Sequence, residues 1–143
     1  MREIKFRGKV YYPADDKGET FEWVYGGYDQ TSRKMFYQKE DGRQESPYVK
    51  CVGQYTGLRD KNGKEIYEGD IVCSRFPEGC EPAGEISNIG DIQFRDGIFG
   101  IEWKQWKNDT FWGLRRLDED FHKEIEVIGN IYDNTELLKG EKD

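Results

Sequence analysis

Apolar and polar residues alternate with a period of two along almost the whole chain. Ile4, Phe6, Val10 and Tyr12 are separated by charged or polar neighbours, the pattern of a half-buried strand. A turn over 13–18 leads into a second run through Phe21, Trp23 and Tyr25, which Gly26-Gly27 is expected to break. Met35 and Tyr37 alternate in a third run, Asp41-Gly42 has turn chemistry, and 48–56 is again strand-like. Further strands are expected over 71–76, 91–94, 97–103, 110–114 and 124–132, with a loop over 77–90 marked by Pro77 and Pro82. Nothing in the first 57 residues carries a helical period. Asn134 is placed to cap a single helical turn over "NTELL", with Glu136 in its first turn. Short, closely spaced strands separated by turn signals predict an all-β fold of small barrel or sandwich units.

The stretch "VGQYTGLRDKNGKEIYEGDIV", residues 52–72, is dense in glycine and charge and invites a chemical reading. A calcium-binding EF-hand starting at Asp60 would need glycine at its sixth position and glutamate at its twelfth, where Glu65 and Ile71 stand. A phosphate-cradling loop would need Gly-Lys-Ser/Thr, and Gly63-Lys64-Glu65 fails that test. Asn62-Gly63 instead predicts a tight turn with both residues at positive φ. Ile66 and Tyr67 are expected to tuck the loop against a barrel, and Gly69-Asp70 to reverse the chain into Ile71-Val72. The stretch reads as backbone architecture.

Composition changes the picture in two ways. Charged residues make up 36% of the chain and apolar ones 35%, a balance that leans towards disorder. Four Trp, nine Tyr and eight Phe oppose that, because rings bury the most area per residue. The net charge of −7 is also uneven: residues 1–57 hold ten basic against nine acidic side chains, residues 58–143 twelve against twenty. The acidic second half disfavours nucleic acid and membrane headgroups as partners. Arg2, Lys5, Arg7 and Lys9 form the one basic run, which reads most simply as the wet face of a strand.

Candidate chemistry is thin. Cys51, Cys73 and Cys80 have no Cys-x-x-Cys spacing and His122 is the single histidine, so neither a zinc site nor a disulfide is expected. No cofactor is implied, and no apolar run approaches a membrane span. Asp15-Asp16 and Asp118-Glu119-Asp120 are sequence neighbours in turn-like segments, not converging carboxylates. Trp103, Trp106, Phe111 and Trp112 could stack bases, but core packing or an oligomer interface has first claim on them.

Three blocks together resemble the YopX family of small phage and prophage proteins: "MREIKFRG", the 52–72 stretch, and "EVIGNIYDNTELL". Variable segments fall at 13–47 and 74–123. The last block departs from the family in having Thr135 where proline is frequent. The resemblance implies a second half similar to an SH3-type barrel, a phage or prophage origin and a cytoplasmic life in a bacterial host. It supplies no activity and no catalytic residues. The residues it marks are structural: Gly57, Asp60, Asn62, Gly63, Ile66, Tyr67, Gly69 and Asp70 in the centre, Gly129 and Asn130 near the end.

The resulting expectation is a β unit over 1–57, an SH3-like unit over 58–138 and a flexible tail over 139–143. The protein is expected to be a non-enzymatic accessory protein that binds a host or phage protein, or itself. Phe6, Trp23 and Tyr25 are the candidate interface residues, since small units cannot enclose so many rings. The rival expectation is a nucleic-acid-associated protein using the basic Arg2–Lys9 run and exposed aromatics.

Overall fold

The computed structural model describes residues 3–12, 20–75, 87–95, 97–103, 114–117 and 121–138. The turn over 13–18 with Asp15-Asp16, then Arg2, Cys80, Trp106, Phe111, Trp112, the acidic run 118–120 and the tail 139–143 lie outside them. Eleven strands are present among the described residues: β1 Phe6–Tyr12, β2 Thr20–Asp29, β3 Lys34–Gln38, β4 Gln44–Glu45, β5 Cys51–Arg59, β6 Glu65–Tyr67, β7 Asp70–Arg75, β8 Ser87–Arg95, β9 Ile98–Trp103, β10 Leu114–Arg116 and β11 Ile125–Asn130. The only helical segments described are single 3-10 turns, Phe121–Glu124 and Thr135–Leu138. The fold is all-β. None of the described helices is long and apolar enough to cross a membrane.

The chain divides into two compact units, Met1–Tyr55 and Thr56–Asp143, whose boundary falls within β5. In the first, β4, β3, β2 and β1 form an antiparallel meander, and the first half of β5 adds to β1. Antiparallel Cα partners share a face, so the register sorts the side chains. Val10, Val24 and Met35 form the buried centre of one face, with Phe6, Tyr28, Tyr37, Val49 and Val52 packed against them. Period-two alternation makes this possible, because every second residue of β1 to β3 is free to point the other way.

The expected break at Gly26-Gly27 does not occur: β2 runs unbroken from Thr20 to Asp29. A Cβ at Gly26 would lie 2.2 Å from the Phe36 carbonyl oxygen. Glycine is there because β3 approaches too closely for a side chain, and the strand itself stays extended.

In the second unit the order is β10-β9-β8-β7-β11, all antiparallel, with β6 beside the last part of β5. Ile66, Val72, Ile92, Phe99, Ile101, Leu117, Ile125 and Val127 form its core, and Leu58 and Trp103 pack against it. Burying each such side chain stabilises the fold by about 1.5–3 kcal/mol before entropy is counted. Trp103, of the suspected aromatic cluster, therefore serves as core lining. Neither strand order closes on itself among the described residues.

Candidate binding face of the first sheet

The central glycine-rich stretch resolves into a turn stitched to a distant strand. The Gly63 amide donates to the Asp60 carbonyl at 2.9 Å and the Asp60 amide to the Lys64 carbonyl at 2.8 Å. Gly63 has φ 85°, while Asn62 is not among the residues at positive φ. The turn is thus a type I turn closed by a left-handed glycine, not the two-residue turn with both positions at positive φ that Asn62-Gly63 suggested. The deciding group is the buried Asp60 carboxylate. One oxygen accepts from the Asn62 and Lys64 amides at 2.8 and 2.9 Å, which holds Asn62 in the ordinary right-handed region. The other accepts from the Val127 amide at 2.9 Å.

Its neighbours have similar duties. Ile66 and Tyr67 are buried, and the Tyr67 amide donates to the buried Asp70 carboxylate at 2.7 Å. Gly69, at φ 92°, donates to the Ile92 carbonyl and accepts from the Ile131 amide, each at 2.9 Å. Gly57 also has positive φ, 88°. In the last block the register of β11 shifts between Val127 and Gly129. The Asn130 side-chain oxygen accepts from the Tyr132 and Asp133 amides, and Asn134 accepts from the Asn130 amide at 3.1 Å. Carboxylates and amides here satisfy backbone groups.

The remaining candidate residues lead elsewhere. Register pairs Arg7 with Tyr25, Lys9 with Trp23, Tyr11 with Phe21 and Gly27 with Phe36, so all of these share the face opposite the first core. Lys34 pairs with Asp29 and bridges to Tyr48 on the same side. Cations and rings interleave in contact: Lys5 over Tyr55 at 5.2 Å, Arg7 over Trp23 at 4.9 Å, Lys9 over Phe21 at 4.7 Å, Lys34 over Tyr48 at 4.8 Å and Lys50 over Tyr11 at 5.1 Å. All of these pairs fall within the first unit, where the ring quadrupoles face the cations.

Burial grades across this face. Arg7 and Tyr55 are buried, whereas Phe21, Tyr25, Phe36 and Tyr48 are 46–69% exposed. The carboxylate that register places here, Asp29, is engaged by its own turn. It accepts from the Thr31 amide and the Ser32 hydroxyl, which hold its carboxyl below the usual carboxylate range. Glu3 lies 3.6 Å from Lys5. Of the three candidate interface residues, Trp23 and Tyr25 lie on this face and Phe6 does not: it pairs with Gly26 and packs against the core. Lys34, Phe36, Tyr48 and Lys50 escaped the sequence reading, because only non-local pairing brings them to β1 and β2. The alternation of Lys5, Arg7 and Lys9 with apolar residues was their one local signal.

No group of three or more His, Cys, Asp and Glu able to hold a metal occurs among the described residues. Cys51 and Cys73 are free thiols, and burial pushes that of Cys73 up. The Arg59 carbonyl accepts from His122 Nδ1.

Fold and surface together define an all-β protein whose marked glycines and acids build turns and whose first sheet displays a basic, aromatic face. The chain belongs to the YopX family: the family model described as YopX protein matches residues 6–139. It is 31% identical over 80 residues to the SPbeta prophage-derived uncharacterized protein YopX of Bacillus subtilis (strain 168), a match covering 56% of this chain and 54% of that one. The chain thus matches about half the length of that relative. The crystal structure of protein EF1440 from Enterococcus faecalis is similar at a TM-score of 0.55 and 25% identity, over 96% of this chain and 99% of that one.

Proposed function

We propose that this protein is a non-enzymatic phage accessory protein, acting in the cytoplasm of a bacterial host, that works by binding through the exposed face of its first sheet. One observation carries the reading. A single sheet puts its core on one side and, on the other, exposed Phe21, Tyr25, Phe36 and Tyr48 among cations, and surfaces of that kind mark interaction sites. The prophage origin stated for the Bacillus relative supports the setting. The second unit is read as an SH3-type barrel, on the strength of its five-stranded antiparallel order around one small core. The partner is a second copy or a host or phage macromolecule.

Immobilised wild-type chain and a Tyr25→Glu/Phe36→Glu variant, both checked for native circular dichroism, test the reading in extract from induced host cells. Material held by the wild type and lost by the variant supports it, as does a wild-type multimer that the variant dissociates. Equal retention by both, with the wild type monomeric in light scattering, overturns it.

A further inference from the structure

We propose that the exposed face of the first sheet takes single-stranded nucleic acid. Bases stack on Phe21, Trp23, Tyr25 and Phe36, and Lys9, Lys34 and Lys50 meet the phosphates. The proposal rests on the reading of this face as the binding surface and names its ligand.

Spacing favours a single strand over a duplex. Phe21, Trp23 and Tyr25 are alternate residues of β2, so their Cα atoms repeat at about 6.8 Å. Bases in duplex DNA rise about 3.4 Å per strand, half that interval. Only a strand whose bases are free to unstack can lay one on each ring, and every base offers a π-face for the purpose. The cations fall in the same arrangement: Lys9 lies between the Phe21 and Trp23 rings, 4.7 and 5.9 Å from their centres. Rings interleaved with ammonium groups match a polymer that alternates planar bases with charged phosphates.

Charge argues against the alternatives. A second copy docked face to face would bring two sets of Lys5, Arg7, Lys9, Lys34 and Lys50 together, whereas interface cores are depleted of lysine and of like charge. The excess of twenty acidic over twelve basic residues in 58–143 opposes wrapping by a long duplex and confines attraction to this sheet. An acidic peptide would satisfy the lysines but leave the row of rings without matching planes.

Gly27 adds an independent observation. A Cβ built there meets nothing within 4 Å and its φ is not positive, so neither packing nor backbone demands glycine. It pairs with Phe36 and follows Tyr25 on the same face. Glycine within a strand often marks close approach of a ligand to backbone, and here it leaves bare backbone beside two exposed rings.

The test is fluorescence anisotropy with a labelled oligodeoxythymidine of about 16 nucleotides, near the upper site size of a small β domain. It is run beside the corresponding duplex, an abasic strand of equal length and polyglutamate. The expected result is preference for the base-bearing single strand, with log K falling against log salt at a slope of about −2 to −3.5 for three to five neutralised phosphates. Tyr25→Ala and Phe36→Ala should each weaken binding about tenfold, and Gly27→Val by a similar factor, with melting temperatures unchanged. Lys34→Ala/Lys50→Ala, two surface changes that leave the rings in place, should flatten the salt slope. Equal binding of the abasic strand or polyglutamate would overturn base stacking while leaving an anion-binding face. No binding of any strand, with a Tyr25-dependent dimer in light scattering, would overturn the nucleic-acid proposal and keep the face as a protein interface. No binding and a monomer would remove both.

Discussion

The Asp60 carboxylate accepts a hydrogen bond from the amide of Val127, sixty-seven residues further along the chain, at 2.9 Å. The same side chain closes its own turn through the Asn62 and Lys64 amides, and the Lys61 amide donates to the Ile125 carbonyl at 3.0 Å. One buried acid therefore couples the central family block to the last one. Asp60→Ala would orphan the buried Val127 amide and release the turn, at a cost of about 3 kcal/mol. Asp60→Asn keeps one acceptor oxygen and should cost about half that. Lys64→Ala, on the exposed side of the turn, should stay within about 0.5 kcal/mol. Urea denaturation checks all three, and an Asp60→Ala variant as stable as wild type would show that the stitch is dispensable.

The glycines of these blocks should fail for different reasons. Gly69→Val forces a β-branched residue into the left-handed region at φ 92° and strains the bonds to Ile92 and Ile131, so a loss of about 2 kcal/mol or more is expected. Gly63→Ala meets no neighbour and should lose only the backbone term of about 1 kcal/mol. At Gly129 a Cβ would lie 2.6 Å from Asn134 Oδ1, the oxygen that accepts from the Asn130 amide. The cost there should shrink when Asn134→Ala is already present. A double-mutant cycle in thermal melts reads that coupling, and strict additivity would argue against the contact.

Tyr12 supplies a pH signature. Its hydroxyl donates to Glu22 at 2.8 Å, and that bond, with burial and the Glu22 charge, raises its pKa to about 12 from an ordinary 10.0. The folded value lies above the unfolded one, so the contribution is fully present below pH 10 and is lost as pH rises towards 12. Tyr12 is exposed, so solvent mutes the energy involved and the titration is the better observable. Phenolate absorbance should show a late step to which Tyr12 and Tyr37 contribute, the latter raised by burial and then by the Glu22 charge, and Glu22→Gln should bring that step down. A Glu22→Gln curve superimposable on wild type would contradict the assignment.

The strand content was legible because period two is local: Phe6, Val10, Phe21, Trp23 and Met35 announce themselves through their immediate neighbours, though in β2 the apolar phase that the sequence shows is the one opposite the buried Val24. Which face of each strand turns inward was not, since β1 and β2 carry rings on both faces. Phe6 and Tyr12 stand against Tyr11, Phe21 and Trp23, and only the pairing of Arg7 with Tyr25 and of Gly27 with Phe36 decides between them. Gly26-Gly27 looked like a break because glycine weakens strands in general, whereas the approach of the Phe36 carbonyl is a tertiary fact. Asn62-Gly63 announced a turn correctly, but its type was set by the Asp60 side chain, which the dipeptide does not show. The binding face is the extreme case, for Tyr48 joins it only through its bridge to Lys34 and Lys50 only through the hydrogen bond of its amide to the Lys9 carbonyl.

The assignment of faces is itself testable by exchanging one ring on each side for the same charge. Phe6 packs against the cluster of Val10, Val24 and Met35, with its ring centre 5.9 Å from that of Tyr28. Phe6→Lys would lose that packing and push an ammonium group towards apolar neighbours, so a destabilisation of about 2–4 kcal/mol is expected. Tyr25 sits two residues further along β2 than Trp23, is half exposed, and faces Arg7 across the strand pair. Tyr25→Lys should keep the melting temperature within a few degrees, because a solvated lysine on a wet strand costs little. The two variants differ from wild type by the same added charge, so a general electrostatic effect would move them together. Separate melts followed by circular dichroism distinguish the cases. A stable Phe6→Lys beside an unfolded Tyr25→Lys would mean that the core lies on the side here assigned to solvent, and the binding face would have to be sought on the other.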